Sequence, residues 1–174
     1  MTKAIWLTAA VSFFFLAAAA LFASGCTVGK PFRGPGFEPG RGVTLEEAGD
    51  TVLVAITHTV LNRDRMARRA FGRHLWKVVD AMPEQPGLVG YSVRRELFGD
   101  EAWTLSVWVD EASLEGFVRS EAHRNAIAVG GRALESVRFA RIELEAEELP
   151  LEWPRALELL DARSSEGPEP EAAR

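Results

Sequence analysis

The sequence contains few of the residues that form cross-links and metal sites. Cys26 is the only cysteine among 174 residues, which excludes an internal disulfide and a zinc site made of several thiolates. No dense group of carboxylates surrounds the three histidines, His58, His74 and His123, so we expect no metal site. Basic residues are also the minority, with 20 Lys and Arg against 25 Asp and Glu, and a net charge of −5 does not favour a protein that binds nucleic acid.

Charged residues are also absent from a long run near the beginning of the chain. Residues 4–25 contain no charged side chain, follow Lys3 and end immediately before Cys26. A basic start, an apolar run and small residues at its end are typical of a secretory signal. The sequence Ala23-Ser24-Gly25-Cys26 resembles a bacterial lipobox, in which the cysteine carries the lipid. The run is also about long enough to span a bilayer, so an uncleaved transmembrane anchor is the alternative. Either way, residues 1–25 predict attachment to the cell membrane or envelope.

Composition divides the rest of the chain. Glycine and proline dominate residues 27–42, which predicts a flexible tether over residues 26–50. Residues 164–174 are polar and contain proline, so we expect a disordered tail there. Between them the sequence predicts a folded domain over residues 51–148 and a helical extension over residues 149–163, whose apolar side chains could pack back onto the domain.

Hydrophobic periodicity divides the folded domain into strand, helix, strand, strand, helix and strand. The predicted elements are a strand at 51–61, a helix at 65–82, strands at 88–97 and 102–109, a helix that begins at Asp110, breaks at Ser120 and ends at Gly130-Gly131, and a strand at 137–147. The order βαββαβ predicts a ferredoxin-like α+β fold, with an antiparallel four-stranded sheet and two helices on one face. The other face would be bare, which favours a homodimer closed sheet on sheet; a mostly polar face would allow a monomer.

One run of residues resembles a known family. Trp108-Val109-Asp110-Glu111-Ala112-Ser113-Leu114, followed by Phe117, Ser120 and His123, is similar to the third strand and second helix of the antibiotic biosynthesis monooxygenase (ABM) superfamily, the dimeric α+β barrels. Pro86-Gly87-Leu88-Val89-Gly90 resembles the family's Pro-Gly start of the second strand.

The resemblance covers about residues 51–148 and implies a homodimer with a small-molecule pocket between sheet and helices in each protomer. Members of the family include oxygenases that act on polycyclic phenols and quinols without a cofactor, and haem-degrading enzymes. Residues 125–128, Asn-Ala-Ile-Ala, lack the histidine that the haem-degrading branch places on this helix. The resemblance therefore implies no cofactor.

Two histidines are candidate catalytic residues, because histidine can take up a proton near neutral pH. The family resemblance places His123 on the broken second helix, where the break at Ser120 could turn it inward. His58 lies in the apolar first strand, between two threonines. The alternatives are a capping or surface role for His123 and a hydrogen-bonded structural role for His58.

Three more residues are candidates for binding the substrate. Trp108 could line the pocket and stack on a flat ligand, or be ordinary core. Trp76 could border the same cavity or be partly exposed. Arg94 could pair with a ligand carboxylate or phenolate, or with Glu143 or Glu145 across the sheet.

The sequence leaves two classes of function open. The first is a cofactor-independent monooxygenase acting on an electron-rich aromatic small molecule, which the protein need only bind, desolvate and deprotonate. The second is a non-catalytic protein of the envelope that binds a hydrophobic small molecule or serves as a structural dimer. The first helix is strongly basic, and this surface could rest on anionic headgroups or simply be solvated.

Overall fold

A computed structural model describes residues 26–163 and 165–166. The predicted signal or anchor, residues 1–25, lies outside the described residues. The strands are β1 (Thr27–Arg33), β2 (Phe37–Glu38), β3 (Gly42–Val43), β4 (Thr51–Leu61), β5 (Leu88–Glu96), β6 (Glu101–Trp108), β7 (Leu134–Glu145) and β8 (Ser165–Glu166). The helices are α1 (Arg65–Ala81), α2 (Glu111–Val118), α3 (Glu121–Ala133) and α4 (Trp153–Arg163), with 3-10 turns at Met82–Glu84 and Ala146–Glu148. No helix in this part of the chain is long and apolar enough to span a bilayer.

The central strands have the predicted arrangement. The large sheet is antiparallel with the order β1-β5-β6-β4-β7-β8, and its inner four strands, β5-β6-β4-β7, have the ferredoxin-like order. Ile56 of β4 lies opposite Leu105 of β6 on one side and Ala140 of β7 on the other. The prediction of a ferredoxin-like α+β fold is therefore confirmed.

Side-chain caps set the beginnings of the helices. The carboxylate of Asp64 accepts hydrogen bonds from the backbone N–H groups of Met66 and Ala67 at the start of α1. Asp110 caps α2 by accepting from the Ser113 N–H at 2.7 Å. Ser120 caps α3, so the predicted break in the second helix is confirmed.

Helices α1, α2 and α3 pack on one side of the sheet, here called the helix face. Because side chains alternate along a strand, the helix face receives every second residue of β4 and β6. The residues buried there include Leu53, Val78, Trp108, Leu114 and Phe117.

The opposite side, here called the second face, is not bare. Its buried strand residues include Val54, Ile56, Leu105 and Val107, and the C-terminal extension covers them with Leu149, Leu151, Ala156 and Leu160. The extension thus packs back as predicted, but the expectation of a bare face is wrong. Because this apolar surface is already buried by the chain itself, sheet-on-sheet closure with a second copy would require α4 to move away.

The prediction of a flexible tether is also wrong. Residues 27–33 form β1, which pairs with β5 at the edge of the sheet, and Phe32 packs on the second face. The pairing is possible because Gly90 has no side chain: a Cβ at that position would lie 2.6 Å from Cζ of Phe32. At the other end, Ser165–Glu166 belongs to the predicted tail but forms β8 beside β7.

Candidate functional site

Three residues of the run that resembles the ABM family, Trp108, Phe117 and His123, have their rings in contact on the helix face. They are here called the aromatic line. Trp108 is fully buried, and its Nε1–H donates to Oγ of Ser106 at 3.0 Å. The Trp108 and Phe117 rings are 5.1 Å apart between centroids, and Phe117 is 4.7 Å from the ring of His123. The structure therefore brings two of the predicted site residues, Trp108 and His123, into contact with the same residue, Phe117.

The start of α3 orients His123. Its backbone N–H donates to Oγ of Ser120 at 3.3 Å, and its ring Nδ1 lies 3.2 Å from the carbonyl oxygen of Val118. A carbonyl oxygen can only accept, so Nδ1 carries the hydrogen of this bond. In the neutral ring the lone pair is then on Nε2, which is the tautomer that a general base at this position requires.

The space around this aromatic line is occupied by the protein's own side chains. Tyr91, Leu114, Phe117 and Val118 are all buried at 9% exposure or less. Because protein interiors are close-packed, a ligand can reach Trp108 only if a side chain such as Phe117 moves aside.

The second candidate histidine lies on the opposite face of the sheet. His58 is stacked almost parallel on Trp103, with 5.0 Å between the ring centroids. Its Nε2 is 2.8 Å from Oε2 of Glu101, an arrangement in which a carboxylate holds an imidazole in one orientation. The structure therefore separates His58 from His123, and the two do not belong to one site.

Arg94 lies in the same row of the sheet as Trp103 and His58. Its guanidinium carbon is 5.5 Å from the centroid of Trp103 and 6.0 Å from that of Trp153 on α4, so the cation lies against two indole rings. Its Nε is buried and has no hydrogen-bond partner among the described residues.

The predicted pairing of Arg94 with Glu143 or Glu145 is wrong. Arg94 is on β5 and both glutamates are on β7, and β6 and β4 lie between those strands. Charge complementarity along a sequence does not give the strand order, and the order places the glutamates out of reach.

A cavity of about 600 Å³ opens beside Arg94. Its walls come from β1, the β2–β3 hairpin, β5 and the start of α4, and include Phe32, Phe37, Ser92, Arg94, Leu151 and Trp153. Trp153 Nε1 donates to Oγ of Ser92 at 3.1 Å, and that hydroxyl donates to the carbonyl of Lys30 at 2.7 Å, which fixes one wall. A volume of this size is typical of small-molecule sites. Sequence reasoning missed the cavity because two of its walls were predicted to be a tether and an extension.

The remaining candidate binding residue does not line this cavity. Trp76 is 52% exposed on α1, and the Nζ of Lys30 lies 5.2 Å from its ring centroid. Trp76 therefore follows the alternative of partial exposure. Among the described residues, no group of three or more His, Cys, Asp or Glu could hold a metal ion.

The central segment of the chain matches the model of a known protein family. The family model for antibiotic biosynthesis monooxygenase matches residues 59–129. Over this segment the chain is similar to that family. The segment contains Trp76, Arg94, Trp108 and His123, and His58 lies one residue before its start.

Several solved structures are similar to this chain over about half of its length. A Pseudomonas aeruginosa protein is 18% identical, covering 53% of this chain and 92% of its own, with a TM-score of 0.47. A Mycobacterium tuberculosis protein is 20% identical, covering 58% and 96%, with a TM-score of 0.46. A provisional antibiotic biosynthesis monooxygenase from Chloroflexus aurantiacus is 19% identical, covering 54% and 91%, with a TM-score of 0.43. No curated protein matches the chain.

Proposed function

We propose that this protein is an envelope-anchored, monooxygenase-like ABM protein that takes an aromatic small molecule between the sheet and the helices. The observation that supports this function is the contact of Trp108, Phe117 and His123 within the segment that matches the ABM family. In this proposal Phe117 moves aside, Trp108 forms an aromatic wall, and His123 is the general base.

The proposed reaction needs no cofactor. His123 removes a proton from an acidic group of the substrate, and the apolar surroundings keep water away from the anion that forms. An electron-rich anion of this kind can transfer electrons to dioxygen. At a carbon that carries two hydrogens the reaction balances without another reductant, because one oxygen atom becomes a carbonyl and the other leaves as water.

The role of His123 is tested by comparing two histidine variants. His123→Ala should lower the oxygen consumption with hydroxylated polycyclic aromatics by about 10²–10⁴-fold, the usual contribution of a general base. Binding of the same compounds should be nearly unchanged. His74→Ala, which removes a histidine of α1, is the control and should retain full activity. Equal loss of binding and turnover in His123→Ala would refute a catalytic role.

A second candidate function is binding without turnover, in the cavity beside Arg94. It is favoured by the buried Arg94 Nε that has no partner among the described residues and by the apolar walls of Phe32, Phe37 and Trp153. These groups fit an aromatic carboxylate, whose anionic end would accept from the guanidinium and whose ring would contact the indole.

The binding function is tested with Arg94→Gln. Loss of a hydrogen-bonded charge should weaken the binding of naphthoate-type carboxylates by about tenfold or more. Arg95→Gln is the matched control, because the next residue on β5 is an exposed arginine that does not line the cavity. If both variants bind as tightly as the unsubstituted protein, this cavity is not the ligand site.

The envelope anchor is part of the proposed function. Cys26 is exposed, and its position after residues 4–25 suits a lipid-modified N-terminal residue. Mass spectrometry of the protein isolated from its host should give a chain that begins at Cys26 with the mass of attached lipid. Cys26→Ser should accumulate the full-length precursor. A precursor-length chain in both cases would support the transmembrane alternative, and a lipid-free chain in the soluble fraction would exclude both.

A further inference from the structure

We propose that the protein lies with one particular end of its sheet against an anionic membrane surface. This end, here called the hairpin end, consists of Cys26, Val28 and the β5–β6 turn from Leu97 to Asp100, with Arg95 beside them. The proposal rests on the envelope anchoring proposed above. It goes further by assigning the surface that faces the lipid and the residue that enters it, Phe98.

The first argument is the short distance between the anchor point and the sheet. The carbonyl of Cys26 accepts a hydrogen bond from the N–H of Leu97 at 2.7 Å, and Thr27 is already opposite Glu96 in the sheet. No spacer therefore separates Cys26 from the folded domain. A lipid on the Cys26 thiol and a membrane span over residues 4–25 both place the bilayer next to Cys26, so both alternatives bring the hairpin end to the membrane.

The second argument is the apolar surface at this end. Phe98 is 92% exposed at the tip of the β5–β6 turn, and Leu97 and Val28 are 42% and 41% exposed. The opposite end of β5 is different, because Leu88 and Val89 are buried there. Exposed aromatic and aliphatic side chains that cluster in this way mark an interaction surface, and aromatic rings partition into the interfacial region of a bilayer.

The third argument is the charge around this surface. Arg95 is exposed and lies opposite Val28. The ion pair of Arg68 with Asp100, at 2.5 Å, holds the beginning of α1 beside the turn. Further exposed arginines lie just before α1 and in its first two turns, namely Arg63, Arg65 and Arg69.

The acidic groups at this end are fewer than the arginines. Arg63, Arg65, Arg68, Arg69 and Arg95 lie here with four carboxylates: Asp100 pairs with Arg68, Glu101 contacts His58, Asp64 caps α1, and Glu96 lies beside the turn. The hairpin end therefore has a small net positive charge, although the whole chain is acidic. Clusters of arginine next to a membrane anchor attract anionic headgroups.

The proposal is tested with the full chain as its host processes it, reconstituted into vesicles of phosphatidylethanolamine and phosphatidylglycerol that contain a nitroxide-labelled lipid. A bimane fluorophore is attached to Phe98→Cys or, as the control, to Glu84→Cys. Glu84 is exposed beyond the far end of α1, whose 17 residues span about 25 Å. The signal of the unsubstituted protein, in which Cys26 is the only cysteine, is subtracted.

We expect the nitroxide lipid to quench the label at position 98 several-fold more strongly than the label at position 84. Equal quenching at both positions, or none at either, in protein that pellets with the vesicles would overturn the proposed orientation and leave the anchor intact. Protein that does not pellet with the vesicles would overturn the anchor itself and, with it, the orientation. The two failures are therefore distinguishable.

Discussion

The covering of the second face by α4 leads to a quantitative prediction about Leu160. This side chain is 1% exposed and packs among the apolar residues of the second face. Truncating a buried leucine to alanine removes its burial energy and leaves a cavity. Leu160→Ala should therefore lower the free energy of unfolding by about 2–5 kcal/mol. In a chain of this size, that corresponds to a Tm lower by roughly 4–20 °C.

The matched control is Leu157→Ala on the same helix. Leu157 is only partly buried and does not belong to the second-face cluster, so the same substitution should cost less than about 1 kcal/mol. Urea denaturation followed by tryptophan fluorescence measures both. Equal losses for the two variants would refute the packing of α4 on the sheet. Light scattering of the same samples tests the assembly state, because a loosened α4 should raise the fraction of any sheet-on-sheet dimer.

Two further predictions concern a helix cap and a close approach. Hydrogen bonds from the hydroxyl and the N–H of Ser113 lower the pKa of Asp110, so its stabilising effect should be complete at neutral pH and should decrease as the pH falls below about 4. Asp110→Ala should therefore cost about 1 kcal/mol at pH 7 and less at pH 3. A pH-independent difference in urea denaturation would contradict this. Gly90→Ala should push Phe32 off the sheet and cost about 1–3 kcal/mol. Gly116→Ala should be neutral or stabilising, because a Cβ at that position would meet nothing within 4 Å beyond the backbone of its own helix. Equal effects of the two substitutions would exclude the close contact between Gly90 and Phe32.

The core of the fold could be predicted because its signals are local. Alternation along β4 to β7 identifies the strands, and Asp110 and Ser120 mark the beginnings of two helices by side-chain hydrogen bonds that reach only three residues. The position of β1 could not be predicted in this way. Its pairing with β5 uses backbone groups, which leave no periodic pattern, and it depends on the absence of a side chain at Gly90.

The candidate site was predictable only in part. The resemblance at Trp108 and His123 led to the aromatic line on the helix face, whose middle member is Phe117. The surroundings of Arg94 were not predictable, because they depend on the strand order and on Trp153 of the extension, more than 50 residues away along the chain. Sequence spacing does not encode contacts over such separations.

The edge strand β1 also bears on how the protein behaves when many copies are crowded on one surface. An unprotected edge of a sheet offers free N–H and C=O groups to a neighbouring chain and promotes aggregation. Here β1 occupies the edge of β5, and it is itself a poor template, because Pro31 has no N–H and the register shifts between Lys30 and Arg33. In the proposed anchored state, molecules concentrated in two dimensions would then collide repeatedly without joining their sheets along this edge.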